Sequence, residues 1–327
     1  MTALCEPMLL KAAGKHSLWG GDKLVIEYGK DYLEAPLAET WECSTHENGL
    51  SYVDSGIWKG RTLKSVLKEH PEFLGSKYSG SGELPILVKF IDAAKDLSVQ
   101  VHPNDEYAAK YENGSLGKTE MWYIAEAEPE SCLFYGFYDK VNKEVVRKKI
   151  QTGNIEEILQ KIPVKKGDIF YIPPGTVHAL GHGILAVEIQ ESSNLTYRLF
   201  DYNRIDKYGR KRELHIEKAL MVCNFDKSSS EHIFGKIRKY RKRCERTLLC
   251  SCPYFCVEKI TLNNTDICIN AGVIGSVFSI LICLSGFGKI KTNLSEINIS
   301  KGDTVFIPAK CDDVRLSGEV QSLKIYC

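Results

Sequence analysis

The sequence predicts a mainly β protein built from two jelly-roll-like barrel domains with a few short helices. Three observations lead to this expectation. The chain has 327 residues, which is long for one domain and suits two. Short runs rich in Val, Ile, Tyr and Phe, such as LPILVKFI, MWYIAEA and SILICLSG, are bounded by Gly, Pro and Asp. The segment KGDIFYIP, residues 166–173, returns as KGDTVFIP, residues 301–308, which indicates two similar β domains.

Helical periodicity is confined to a few segments. In GNIEEILQKI, apolar side chains recur with the spacing of one helix face, at Ile155, Ile158, Leu159 and Ile162. The segments TLKSVLKEHPEFL and IEKALMVCNF show a similar pattern. We therefore predict short helices in these three places, as minor additions to the β domains.

The boundary between the domains is placed at KIRKYRKRCER, residues 236–246, a basic run that follows the last predicted helix. We expect residues 1–235 to form the first domain with small helical elements, 236–246 a linker, and 247–327 the second β domain. A nucleic-acid patch is the alternative interpretation of the basic run. It has one tyrosine and no recognisable nucleic-acid motif, so a solvated linker is favoured.

The charge balance argues against partners that bind through strong overall charge. Lysines and arginines total 43 and aspartates and glutamates 42, so no excess charge attracts nucleic acid or an anionic membrane. No apolar run approaches the roughly 20 residues of a membrane-spanning helix, and MTALCEPMLLKAAG lacks the pattern of a signal peptide. We therefore expect a cytoplasmic protein that binds neither nucleic acid nor membranes.

The cysteines are predicted to be reduced thiols. The 12 cysteines are scattered without the short repeated frame of a disulfide scaffold. One cluster, CSCPYFC, contains Cys250, Cys252 and Cys256, but it lacks the second cysteine pair of a zinc knuckle. We interpret these three side chains as buried strand thiols.

Four polar residues form a candidate metal site. The stretch SVQVHPNDEY places Gln100 and His102 on one face of a strand, because successive strand side chains point to opposite faces. Glu120 heads a later strand, and His178 follows a Pro-Pro-Gly turn. One amide oxygen, two imidazoles and one carboxylate suit a divalent ion such as zinc. Each histidine alone would more often be a core residue, but the four together favour a metal site.

The segment Gly167 to His178 fits G-x5-P-x4-H and resembles the second motif of the cupin superfamily of small β barrels. The first cupin motif is matched less well, because Gln100 stands where a histidine is expected. In the repeat, Gly302 keeps the frame, but the position that matches His178 is Asp313. We therefore expect a cupin-like second domain that binds no metal.

Longer stretches resemble one cupin family. They are LPILVKFIDAAKDLSVQVHPNDEYA, GKTEMWYI, PPGTVHALG, VEIQESSNLTYRLFDYNR, WGG at residues 19–21 and TWECSTHENG at residues 40–49. Together they look like type I phosphomannose isomerase in its short bacterial form. The resemblance covers most of the first 225 residues and is weak beyond Arg246. It implies a catalytic first domain that interconverts mannose 6-phosphate and fructose 6-phosphate.

The resemblance also implies the metal and its ligands. In the family, the Q-x-H pair, the Glu of K-T-E and the His of P-G-T-x-H-A hold zinc. Carried over by motif, the ligands of one Zn²⁺ per chain are Gln100, His102, Glu120 and His178.

Three further residues take roles by the same resemblance. The active-site arginine of the family falls on Arg198, the lysine of K-T-E on Lys118, and the serine beside the metal pair on Ser98. Asn194 stands where the family usually has an aspartate before the arginine. A proton-transfer role for that aspartate is therefore not carried over.

These residues suit aldose–ketose isomerisation, in which a proton leaves the carbon beside a carbonyl and an enediolate forms. A divalent metal acting as a Lewis acid and an arginine that stays protonated stabilise the developing charge, and we predict these roles for zinc and Arg198. Glu188 is the candidate general base, because strand alternation turns it toward the same cavity. Lys118 and His46 are alternatives, and a purely structural role for Glu188 as a partner of Lys118 or Arg198 stays open.

The phosphate of the substrate requires fixed cations or backbone donors. Lys89 is an unusual charge in the apolar strand ILVKFI, and Arg204 lies six residues after Arg198. We predict that these three residues lie on the phosphate side, whereas residues 210–212 form a solvated turn. Trp19 either lines the substrate pocket or packs against it. The expected partner is a sugar phosphate, and the chain is expected to be a monomer or a weak homo-oligomer.

Two other functional classes remain as alternatives. Another metal-dependent cupin enzyme, such as an iron-dependent dioxygenase, would have a second histidine in place of Gln100 and an apolar pocket. A non-enzymatic sugar-binding cupin would tolerate replacement of Lys118, Glu188 and Arg198. The lysines and arginines around the predicted site argue against the dioxygenase.

Overall fold

A computed structural model describes residues 5–32, 36–228, 236–241, 243–270 and 277–327, with side chains described outside 236–241. The predicted mainly β fold is confirmed. The strands in chain order are β1 Met8–Lys11, β2 Ala13–Gly21, β3 Leu37–Cys43, β4 Tyr52–Val53, β5 Ile86–Ala93, β6 Val99–Val101, β7 Glu120–Ala127, β8 Cys132–Phe137, β9 Leu159–Pro163, β10 Ile169–Ile172, β11 His178–Leu180, β12 Ile184–Glu191, β13 Tyr197–Phe200, β14 Lys236–Arg241, β15 Cys244–Ser251, β16 Cys256–Cys268, β17 Ser279–Lys291, β18 Glu296–Ser300, β19 Thr304–Ile307 and β20 Arg315–Tyr326.

The helices are short. They are α1 Lys23–Ile26, α2 Leu63–Glu69, α3 Asp105–Tyr111, α4 Lys143–Gln151 and α5 Ile216–Val222, with 3₁₀ turns at Gly56–Trp58, Pro71–Leu74 and Ile155–Ile158. Helices α2 and α5 confirm two of the three predicted helical segments. The Thr62 side chain caps α2 by accepting a hydrogen bond from the Ser65 backbone N–H at 3.1 Å.

The prediction of a helix through residue 162 is wrong. Residues Ile155–Ile158 form only one 3₁₀ turn, and β9 follows at once. In β9, Leu159 and Ile162 are buried and Lys161 is exposed. Strand β9 pairs antiparallel with β8 and places Ile162 opposite Leu133. Pairing with a neighbouring strand overrides the local helical spacing of this segment.

The strands form three sheets, which are open rather than closed barrels in the described residues. The six-stranded sheet has the order β10-β7-β12-β5-β3-β2, and the five-stranded sheet has the order β13-β6-β11-β8-β9. The nine-stranded sheet has the order β14-β15-β16-β20-β17-β19-β1-β4, with β18 paired to β17. The predicted barrels are therefore pairs of packed sheets.

Four apolar clusters hold these layers together. One cluster joins the six-stranded and nine-stranded sheets and includes Phe90 and Phe306. A second covers the outer face of the five-stranded sheet with α4 and α5. A third packs on the other face of the nine-stranded sheet. The fourth lies between the five-stranded and six-stranded sheets and includes Trp122 and Leu180. Polar side chains that enter the last space must be satisfied there.

The repeated KGD turns have the same local structure. Gly167 and Gly302 both adopt positive φ, at 92° and 94°, which glycine tolerates and other residues rarely do. In each turn the aspartate side chain accepts a backbone N–H three residues earlier: Asp168 from Lys165 at 2.9 Å and Asp303 from Ser300 at 2.7 Å. The internal repeat inferred from sequence is confirmed at this level.

The prediction that residues 236–246 form a linker is wrong for the backbone, which forms strands there. Strands β14 and β15 pair antiparallel across this segment, with Ile237 opposite Thr247. The nine-stranded sheet also contains β1, because Met8 of β1 lies opposite Phe306 of β19. The division into domains at residues 235 and 247 stays a prediction.

The described cysteines form no disulfide, in keeping with the predicted thiols, and Cys250 lies buried in β15. The prediction of buried strand thiols is wrong for the other two of the cluster, because Cys252 is half-buried between β15 and β16 and Cys256 is half-buried at the start of β16. No described helix has both the length and the apolar character required to cross a membrane.

Candidate active site

The inner face of the five-stranded sheet carries a row of polar side chains. In the register of β11, β6 and β13, His178 lies opposite Gln100, and Gln100 lies opposite Arg198. Val99 and Val101 point to the other side, into the cluster beneath the helices. Residues directly opposite on neighbouring strands share a face, with Cβ atoms about 4.5–5.5 Å apart. The alternation predicted for β6 therefore brings Gln100 and His178 together.

His102 follows β6 directly, and its ring is buried beside that of His178, with centroids 4.9 Å apart. His102 Nδ1 lies 2.8 Å from the Leu195 carbonyl oxygen, and His178 Nδ1 lies 2.8 Å from the Thr176 carbonyl oxygen. A carbonyl only accepts, so each Nδ1 carries the proton and donates it. Both Nε2 atoms therefore carry lone pairs, as in metal-bound histidines, although Lys118 Nζ lies 3.3 Å from that of His102.

Glu120 enters the same space from the six-stranded sheet and is fully buried. Its Oε1 lies 3.1 Å from His178 Nε2, and its Oε2 lies 3.5 Å from His102 Nε2. Lys118 Nζ lies 2.6 Å from Oε2, yet neither carboxylate oxygen accepts a hydrogen bond of regular geometry. Burial alone would raise the pKa of Glu120, but Lys118 and His178 hold it well below the usual value.

These groups fit a bound cation. The ligand atoms of His102, Glu120 and His178 all lie within 4.8 Å of one another. Burial and the Lys118 ammonium lower the pKa of His102 well below its usual value, so the imidazole is neutral. Lys118 compensates the contact between His102 and Glu120 Oε2. The lone pairs of His178 Nε2 and Glu120 Oε1, 3.1 Å apart, repel unless a further positive charge lies between them. A borderline divalent ion is the natural partner of this donor set.

Gln100 completes the group, with its Nε2 atom 3.4 Å from His178 Nε2. Rotating the amide by half a turn places Oε1 at that position without other change. An amide oxygen, two imidazole nitrogens and a carboxylate would then surround one point. These are the four residues that the sequence singled out, and their role as ligands stays a prediction.

A chain of alternating buried charges leads away from this point. Lys118 Nζ lies 3.7 Å from Glu188 Oε1, and Lys89 Nζ lies 3.0 Å from the same oxygen and 3.6 Å from Glu39 Oε2. Burial would lower the pKa of Lys89, but the Glu188 and Glu39 carboxylates raise it above its usual value. Lys89 is therefore a buried lysine with two partners, which explains its presence in an apolar strand.

Two indoles fix the carboxylates of this chain. Trp122 Nε1 donates to Glu188 Oε2 at 2.9 Å, and Trp41 Nε1 donates to Glu39 Oε2 at 2.7 Å. Burial raises the pKa of Glu39, but Lys89 and the Trp41 indole more than offset it, so the net shift is downward. Both carboxylates are thus held in fixed orientations.

A cavity of about 440 Å³ lies over these groups. Its lining includes the candidate ligand Gln100 and three members of the chain of charged side chains, Lys89, Lys118 and Glu188. Arg198 lies at another part of the wall. A volume of this size suits a small ligand.

The wall of the cavity beside Arg198 is polar. Arg198 donates from Nε to Ser98 Oγ at 3.3 Å and from Nη1 to the Glu213 carbonyl oxygen at 2.7 Å. Trp19 also lines this cavity, so it lies at the predicted pocket.

Comparison with known proteins identifies the family. Residues 8–133 match the family model "Phosphomannose isomerase type I, catalytic domain", and residues 245–327 match "Mannose-6-phosphate isomerase, cupin domain". A mannose-6-phosphate isomerase of Streptococcus mutans is 36% identical over 325 residues, covering 97% of both chains. One of Bacillus subtilis is 37% identical over 321 residues, covering 97% of this chain and 98% of its own.

The chain belongs to the type I phosphomannose isomerase family. A crystal structure of the mannose 6-phosphate isomerase of Bacillus subtilis superposes with a TM-score of 0.89 at 32% identity, covering 98% of this chain and 99% of that one. The resemblance, the cupin-like fold and the enzyme class expected from the sequence are confirmed.

Seven of the residues predicted for a phosphomannose isomerase site line one cavity, namely Trp19, Lys89, Ser98, Gln100, Lys118, Glu188 and Arg198. His102, Glu120 and His178 are buried behind this lining, next to Gln100 and Lys118, and two other predicted residues lie elsewhere. Arg204 is absent from the described lining; its Nη1 donates to the Asp96 carbonyl oxygen at 2.5 Å, and its Nη2 contacts the Asp201 carboxylate. His46, an alternative base, is also absent from that lining and packs edge-on against Trp41. Asn194, which replaces the usual aspartate of the family, does line the cavity.

Sequence reasoning missed several residues of this phosphomannose isomerase cavity. Glu39 carried a usable signal, because it shares a strand face with Trp41 in the alternating segment LAETWEC. Arg212, His215 and Lys218 also line the cavity. Arg212 and His215 lie between β13 and α5, and Lys218 lies within α5. No local spacing of these polar residues indicates that their side chains face the cavity.

Proposed function

We propose that this phosphomannose isomerase is a zinc-dependent aldose–ketose isomerase that interconverts mannose 6-phosphate and fructose 6-phosphate through an enediolate. The observation that carries the proposal is the meeting of two kinds of group at one cavity. The candidate ligands Gln100, His102, Glu120 and His178 adjoin it, and the Glu188 carboxyl group lies in its wall. The names of the relatives supply mannose 6-phosphate, and fructose 6-phosphate is the ketose that proton transfer between its first two carbons would form.

The metal site supplies positive charge beside the reacting oxygens of the sugar when zinc is bound. The ligand set supports zinc, because neutral imidazoles and a carboxylate are common zinc ligands. Arg198 lies opposite Gln100 on the neighbouring strand. Its guanidinium stays protonated and contributes fixed positive charge on the same side, as stabilisation of an enediolate requires.

Glu188 is the proposed general base. Its Oε2 accepts the Trp122 indole N–H, which leaves Oε1 as the oxygen that takes the carbon-bound proton. Lys89 and Lys118 flank Oε1, with Nζ atoms at 3.0 and 3.7 Å. The same carboxyl group can return the proton to the neighbouring carbon, since the two carbons are adjacent in the sugar.

Turnover of fructose 6-phosphate with coupled detection of mannose 6-phosphate tests the reaction. We expect activity that is lost on chelation and restored by zinc. Reaction in deuterium oxide should incorporate deuterium at the carbon that receives the proton, because a carboxyl proton exchanges with solvent. Glu188→Gln should abolish this incorporation, whereas Glu157→Gln, at an exposed carboxylate, should not. Full activity after verified metal removal would exclude the metal-dependent mechanism.

A further inference from the structure

Arg212 lies in a segment that the sequence alone assigned to a solvated turn, yet it lines the same cavity as Arg198. Its side chain is 29% exposed, whereas that of Arg210, two residues earlier, is 71% exposed. Arg210 pairs with Asp206 at 3.1 Å on the surface. The chain therefore turns one arginine to solvent and the other to the cavity.

Asp201 orients Arg212. Arg212 Nε donates to Asp201 Oδ2 at 2.8 Å, and Nη2 contacts Oδ1, so one edge of the guanidinium is held in a two-point contact. Arg204 also contacts this carboxylate, which is nearly buried. Arg212 Nη1 makes no hydrogen bond to any acceptor in the described part of the chain. The free edge of the guanidinium thus stays available to a ligand.

Arg198 adds a second guanidinium with unused donors. Its Nε and Nη1 are occupied, but Nη2 donates to no group among the described residues. Arg198 forms no ion pair there either, and burial together with nearby Arg212 lowers its pKa. The guanidinium groups of Arg204 and Arg212 contact one buried carboxylate, Asp201, and that of Arg198 lies near enough to interact electrostatically with all three. The region therefore carries an excess of positive charge.

The other nearby charges do not cancel this excess. Glu112 is paired with Lys218 at 2.6 Å, and the side chain of Glu213 is 83% exposed. The cavity lysines differ from the arginines, because Lys89 and Lys118 are both paired with buried carboxylates. An incoming anion would meet its unpaired donors at the arginines.

From this arrangement we infer that Arg212 binds the phosphate of the substrate through its free guanidinium edge, and that Asp201 positions Arg212 for this contact. The inference rests on the proposed sugar phosphate substrate. Guanidinium groups suit it, because their planar N–H pairs match two phosphate oxygens at once. The phosphate is remote from the carbons that exchange the proton, so Arg212 contributes to binding in the ground state and the transition state alike.

The test compares Arg212→Gln and Arg212→Lys with the matched surface control Arg210→Gln. Steady-state kinetics with fructose 6-phosphate separate KM from kcat. Thermal unfolding with and without inorganic phosphate reports anion binding without turnover, because a ligand that binds only the folded state raises Tm. We expect Arg212→Gln to raise KM on the order of 10-fold or more with kcat nearly unchanged, as for loss of a charge-assisted hydrogen bond.

Phosphate should stabilise the wild type and the Arg210→Gln control but not Arg212→Gln, and Arg212→Lys should recover part of the binding through its charge. Unchanged KM and unchanged phosphate stabilisation in Arg212→Gln would overturn the inference. A fall in kcat alone would also overturn it. In a third outcome, the wild type turns over no sugar phosphate, yet phosphate stabilises the wild type and does not stabilise Arg212→Gln. The proposed isomerisation then fails and the anion site stands.

Discussion

Replacing Lys89 by methionine tests the buried charge chain most directly. Lys89 is 5% exposed and is the only cation that lies within 3.6 Å of both Glu188 and Glu39 in the described residues. Removing one partner of a buried ion pair costs about 3–5 kcal/mol, because the charge left behind is buried without compensation. Glu188 keeps its Trp122 donor and Glu39 keeps Trp41, so we expect the lower end, about 3 kcal/mol.

The expected change in Tm follows from the length of the chain. Unfolding entropy scales with residue number, so for 327 residues each kcal/mol shifts Tm by roughly 1.5 °C. Lys89→Met should therefore lower Tm by about 4 °C at neutral pH. The measurement is thermal unfolding of the metal-loaded protein. Lys95→Met is the matched control, since Lys95 is exposed just beyond the same strand, and it should leave Tm nearly unchanged.

The pH dependence gives a second check. The pKa of Glu39 is lowered in the folded wild type, so its contribution to stability is present above its usual pKa and is lost as pH falls. Without Lys89, the effect of burial on the pKa of Glu39 is no longer offset, so the buried carboxylate is costly when it is charged. The decrease in Tm should therefore be largest near neutral pH and become smaller as Glu39 is protonated on acidification. Adding Glu188→Gln to Lys89→Met should recover part of the loss. A Tm decrease below about 1 °C, or one that grows on acidification, would refute the reasoning.

Three further predictions concern other parts of the molecule. His178→Ala should lose the bound divalent ion in elemental analysis while keeping its circular dichroism spectrum, whereas exposed His182→Ala should keep the ion; equal metal content in both would contradict the site. Arg198→Ala should lower kcat on the order of 100-fold, and Arg198→Lys should recover little if the planar group matters; an effect on KM alone would assign Arg198 to phosphate binding only. Leu10→Asp should lower Tm by several degrees, because it buries a charge where β1 packs in the core. Lys11→Asp, on the exposed face of β1, should leave Tm nearly unchanged, and similar Tm values for the two variants would argue against that packing.

The parts of the site that the sequence predicted are those encoded by local spacing. Gln100 and His102 lie on one side of β6 because strand side chains alternate, and His178 follows a turn with a recognisable glycine frame. Arg212 was assigned to solvent because nothing local distinguishes it from Arg210. Its direction depends on the buried Asp201 carboxylate, a contact made by folding. The helix expected through Ile162 failed for the same kind of reason, since pairing with β8 decides that segment.

The position of β1 constrains how the protein can be made. The partner of this strand, β19, is synthesised about 300 residues after it, which takes roughly 15–60 s at usual rates of translation. Until then the apolar segment MLLK has one edge without its native neighbour, and unpaired edges associate with other chains. The nine-stranded sheet is complete only when β1 and β4 pair with the strands from the second half of the chain. Completion of this sheet therefore waits until β19 has been synthesised, and fragments that end before residue 304 should accumulate as aggregation-prone intermediates.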